Sequence, residues 1–105
     1  MIGKMELKIS EEYEELAIEW QYQMILMLKN TLSKYKVSDE VAKEIVGEFS
    51  FDLAMLHDQH EIKYKGKSYN PRLGFHDFGN ILVSSEEETN LHEYAFGSTS
   101  EAFGE

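Results

Sequence analysis
The hydrophobic period of this chain switches from helical to alternating near Glu61, and that switch bounds the fold. Before it, apolar residues recur at helical spacing along two long stretches. After it, they alternate with polar residues every second position. Tyr13, Leu16, Ala17, Trp20, Met24, Met27 and Thr31 lie three or four apart and predict a helix over about residues 11–35. Ser10 offers the N-cap, and Glu11 and Glu12 stand in the first turn, where the helix dipole favours anions. Ser38 caps a second helix that opens on Asp39 and Glu40 and runs to about residue 58. Its expected core stripe is Val41, Ile45, Phe49, Leu53 and Leu56, joined by Val46. Only Lys36 and Val37 separate the two helices, so they are expected to pack antiparallel.

Strands flank this helical block. Met5, Leu7 and Ile9 alternate with Lys4, Glu6 and Lys8, which predicts a short strand. Ile62 and Tyr64 alternate with lysines, Gly66 supplies a turn, and Tyr69, Leu73 and Phe75 share a face of a returning strand. That strand, over 68–76, is expected to be bulged or at an edge near Pro71, which cannot donate to a ladder. Asp77-Phe78-Gly79-Asn80 reads as a turn before a third strand at Ile81–Val83. Ser85 with Glu88 matches a capping box for a short C-terminal helix that stops at Gly97. The expected architecture is α+β: two long antiparallel helices on a small antiparallel β-sheet of hairpin or meander form, plus the short helix. Residues 1–97 are expected to form one domain and 98–105 a tail.

Charge narrows the functional classes. The chain of 105 residues carries 10 Lys and Arg against 20 Asp and Glu, a net −10 at neutral pH. Residues 84–105 hold six Glu and no basic residue. Nucleic acids and anionic membranes attract clustered Lys and Arg, so neither is an expected partner. The one basic cluster, Lys63, Lys65 and Lys67 with Arg72 nearby, reads as a solvated hairpin tip. No apolar run approaches the ~20 residues of a membrane span, and MIGKMELKIS has no apolar leader core. With no Cys, thiolate chemistry is excluded, and a cytoplasmic location is expected.

No phosphate-binding loop, nucleophile elbow or HExxH motif is present. His57, Asp58 and His60, with His76 and Asp77 from the hairpin's end, are the one set with ligand chemistry. They would suit zinc or another divalent ion, and a metal-dependent hydrolase using His57, His60 and His76 is one reading. His-x-x-His is a common chance spacing, so the expectation is no metal, no cofactor and no enzyme.

Two helix faces remain. Ile18, Tyr22, Ile25 and Leu32 lie opposite Leu16, Trp20 and Met27. They predict a helix covered on both sides or, in a further reading, a homodimer face through Ile18, Tyr22 and Ile25 of an acidic structural oligomer. On the second helix, Glu44, Glu48, Phe51, Met55 and Asp58 share a face that mixes carboxylates with large apolar groups. The expected function is therefore a small acidic binding protein that docks on a basic protein partner through these five residues. Immunity proteins and antitoxins that occlude basic nuclease toxins have this physical profile. The acidic segment around Glu86, Glu87 and Glu88 is the rival steering surface.

Overall fold
A computed structural model of the chain describes residues 5–58, 61–85 and 90–105. His60 and the Glu86–Glu88 segment lie outside the described residues. The chain is α+β: β1 (Glu6–Ile9), α1 (Glu12–Lys34), α2 (Asp39–Asp58), β2 (Ile62–Tyr64), β3 (Lys67–Tyr69), β4 (Phe75–His76), β5 (Ile81–Ser84), a 3₁₀ turn at Leu91–Glu93, and α3 (Ala95–Ala102). No helix among the described residues is long and apolar enough to cross a membrane.

The two serines act at the helix starts. Ser10 Oγ accepts from the Glu12 N–H at 3.2 Å, and Ser38 Oγ from the Val41 N–H at 3.4 Å. At the far end of α1, Lys36 takes a left-handed conformation (φ 65°), and the Val37 N–H returns to the Leu32 carbonyl at 3.0 Å. This tight reversal makes α1 and α2 antiparallel neighbours.

The strands depart from a single antiparallel sheet. β2 and β3 form a two-stranded hairpin, with Ile62 opposite Tyr69 and Tyr64 opposite Lys67. β5 is the centre of a second sheet. β4 joins it antiparallel, and β1 joins it parallel, Glu6 opposite Ile81 and Ile9 opposite Ser84. The expected strand over 68–76 is broken: Asn70 to Gly74 are in no strand, Pro71 among them. Phe75 therefore pairs with Val83 rather than with the hairpin. The Asp77 turn forms, and its carboxylate accepts the Gly79 N–H at 2.7 Å and the Ile81 N–H at 3.2 Å. The Gly79 bond, chiefly, holds that carboxyl below its usual range.

Two apolar clusters hold the molecule. Tyr13, Ala17, Ala54, Val83 and Leu91 join the first half of α1 to the sheet and to the end of α2. Phe75 leans on Tyr13 there, ring centroids 5.7 Å apart, and burial raises the pKa of the Tyr13 hydroxyl. Ile25, Val46 and Ala102 join α1, α2 and α3. The C-terminal residues expected as a tail belong to this second cluster. Gly97 does not stop the helix, because Ser98, Thr99 and Ala102 are buried beyond it, and burial decides the conformation of so short a segment. Thr99 Oγ1 donates to the Ala95 carbonyl at 2.7 Å, and Lys29 Nζ donates to the Ala102 carbonyl at 2.7 Å.

Candidate partner-binding surface
Of the expected α2 stripe, Val46 is fully buried and Leu53 and Leu56 are half-buried, but the rest is not inward. The buried residues of α2 are Ala42, Val46, Gly47, Ser50, Ala54 and Asp58. Val41, Ile45 and Phe49, expected in the core, are 47%, 39% and 49% exposed. The helix is rotated by about one residue, roughly 100°. The reason is close packing: a stripe of small side chains lets α1 and α3 approach where Ile and Phe would hold them apart. Gly47 shows how close, since a Cβ there would stand 3.1 Å from two ring carbons of Phe96. On α1, Tyr13 and Ala17 are buried as expected and Ile25 is buried from the second face, while Leu16 and Met27 of the expected stripe are exposed and Gln21 is buried instead.

This changes the proposed site residue by residue. Glu44 and Glu48 are exposed, as a steering role requires. Phe51 and Met55 are half-buried. The Phe51 ring stacks on Phe96 at 5.6 Å and 28° and meets the edge of His92 at 5.9 Å, so most of its contact is internal. Asp58 is only 3% exposed and cannot steer a partner. The His92 backbone N–H donates to Asp58 Oδ2 at 2.9 Å, and His92 Nδ1 lies 2.6 Å from the same oxygen. Thirty-four positions separate the pair, and no local pattern in the sequence links them. Ile25 is fully buried, which removes it from any homodimer face, while Ile18 and Tyr22 are half-buried.

The other histidines are dispersed. His57 is half-buried at the end of α2 with Trp20 edge-on at 5.7 Å, and His76 Nε2 lies 2.9 Å from the Gly79 carbonyl oxygen. Among the described residues, no group of three or more His, Asp or Glu is placed to hold a metal ion.

What α2 presents outward is a two-tone surface. Val41, Ile45 and Phe49 recur every four residues, and Glu44, Glu48 and Asp52 follow each of them by three. Helical geometry sets these two exposed stripes side by side. Met27 of α1 is also exposed. At the start of α2, a groove of about 560 Å³ is lined by Phe96 and Phe103, by Asp39, Glu40 and Glu44, and by Lys43, which pairs with Glu105. The Phe103 ring already carries a cation, the Lys29 ammonium 4.8 Å from its centroid.

Comparison with protein-family models, with characterised proteins and with solved structures finds no match to this chain.

Proposed function
We propose that this protein is a binding module that docks on a basic protein through the outer face of α2. The observation that supports this reading is the exposed apolar stripe Val41, Ile45 and Phe49 beside Glu44, Glu48 and Asp52. Interface cores take large apolar and aromatic groups, and an acidic margin raises the rate at which a basic partner arrives. The net charge of −10 extends that attraction beyond contact distance. Phe49 and Ile45 take the anchoring role that the sequence assigned to Phe51 and Met55.

The test is affinity capture at low ionic strength from a lysate of the source organism, with three baits: the natural chain, Phe49→Ser and Glu44→Lys/Glu48→Lys. A basic protein retained by the natural chain should be lost from Phe49→Ser, whose own melting temperature should barely move. Purified with its partner, the double Lys variant should associate about 10-fold or more slowly, and the deficit should shrink in high salt. A partner held equally by all three baits would place the working surface elsewhere.

A further inference from the structure
The β2–β3 hairpin stands apart from the rest of the molecule in both contact and charge. Every residue from Glu61 to Asn70 is exposed. The segment carries Lys63, Lys65 and Lys67 against the single Glu61, in a chain that is otherwise strongly acidic. The hairpin itself is well specified. Its two-residue turn puts Lys65 at φ 50° and Gly66 at φ 78°, the positive pair that matches the twist of two antiparallel strands. Cross-strand pairing places Ile62 beside Tyr69 and Tyr64 beside Lys67, so Ile62, Tyr64 and Tyr69 share one largely apolar face with Lys67. Lys65 and Lys67 lie over the Tyr64 and Tyr69 rings, 5.3 and 5.4 Å from their centroids. A lone two-stranded hairpin is marginal in water unless something covers its apolar face.

We propose that a second copy of this chain covers it, each copy's hairpin seating on the outer face of the other's α2. Both halves of the match are described above. One is apolar and aromatic with lysines at its margin, and the other is apolar with Glu44, Glu48 and Asp52 at its margin. The geometry closes as well. α2 is 20 residues, roughly 30 Å long, and the hairpin follows its C-terminal end. Two α2 helices running antiparallel about a two-fold axis bring each hairpin to the Val41 end of the opposite helix. Because the exchange is reciprocal about the two-fold, both hairpins and both seats are used within the pair, and the assembly stops at a dimer. This inference uses the α2 face assigned above but not the partner. A basic partner and the second copy's hairpin would compete for one surface, and the dimer is the state in which that surface is covered.

The experiment is sedimentation velocity on the full chain over a wide concentration range, at roughly 50 mM and roughly 500 mM salt. The natural chain should pass from monomer to dimer with rising concentration, and salt should weaken the dimer by about 10-fold or more. Lys63→Glu/Lys65→Glu/Lys67→Glu and Glu44→Lys/Glu48→Lys/Asp52→Lys should each stay monomeric, because each sets like charges against one another. Mixed one to one, they should form a heterodimer, since both seats are then complementary. Circular dichroism and melting establish that each variant is folded, and Tyr64→Ser/Tyr69→Ser, which keeps every charge, should also weaken the dimer. A natural chain that is monomeric throughout overturns the proposal. So does a dimer indifferent to the charge reversals, or a mixture that fails to pair. The hairpin variant should keep or improve capture of a basic partner. Capture failing while self-association survives would sink the partner reading alone.

Discussion

At the scale of single residues, the decisive finding is that chemistry read as surface is interior. Asp58 looked like one more carboxylate on an acidic helix face, yet the 3₁₀ turn at Leu91–Glu93 lies over it and His92 meets it twice through one oxygen. Losing the Asp58 carboxylate leaves the His92 backbone N–H without its acceptor beneath the turn, which costs roughly 1–3 kcal/mol. Asp58→Ala should therefore lower stability by about that amount in urea unfolding at neutral pH. A loss under ~1 kcal/mol, the worth of a surface pair, would show the carboxylate to be solvated after all. Phe51 teaches a milder form of the same lesson. Its spacing put it on the acidic face correctly, but spacing does not reveal that Phe96 is waiting to stack on it.

At the scale of elements, existence was legible and orientation was not. The helices begin where Ser10 and Ser38 stand and end within a residue or two of the positions the sequence implies. The buried side of α2 followed a different rule from the hydrophobic stripe. A moment built on large apolar residues points at Val41, Ile45 and Phe49, whereas the contacts form on Ala42, Val46, Gly47, Ser50 and Ala54. Small residues at i, i+4 and i+8 were a readable signal of close helix contact. One member of that stripe is imperfect: Ser50 is fully buried, and its hydroxyl has no hydrogen-bond partner among the described residues. Ser50→Ala removes the unmet polar group and improves helix propensity, so it should raise stability by about 1 kcal/mol in thermal unfolding. A decrease would mean that the hydroxyl is satisfied in solution. Position 49, one residue away, should show the contrast: Phe49 is 49% exposed, so Phe49→Ser should leave the melt nearly unchanged.

At the scale of the whole molecule, the chain is more extended than its length requires. Its radius of gyration is 15.9 Å with extents of 47 × 34 × 26 Å, against about 13 Å for a compact domain of this size. The exposed hairpin contributes to that shape and is expected to be the loosest ordered part. In dilute solution, amide exchange in Ile62–Tyr69 should be at least ~100-fold faster than at Ile25 and Val46, which sit where three helices meet. Raising the protein concentration should slow the hairpin amides selectively if copies exchange hairpins. Uniform protection across hairpin and helices in dilute solution would instead describe one rigid body.

Local physics was enough for the elements themselves. Apolar period, serine caps and the Lys65-Gly66 turn depend on neighbours within a few residues, and all of them can be read from the order of side chains. The acidic balance, on which the proposed basic partner rests, belongs to composition and needed no fold at all. Every misplacement came from contacts between residues far apart in the chain. The pairing of Asp58 with His92, the parallel seat of β1 on β5, and the helical packing of Ser98, Thr99 and Ala102 all join distant segments. Such contacts depend on which faces fit most closely once helices and strands assemble. That fit turned the smallest side chains of α2 inward and left Val41, Ile45 and Phe49 on the surface.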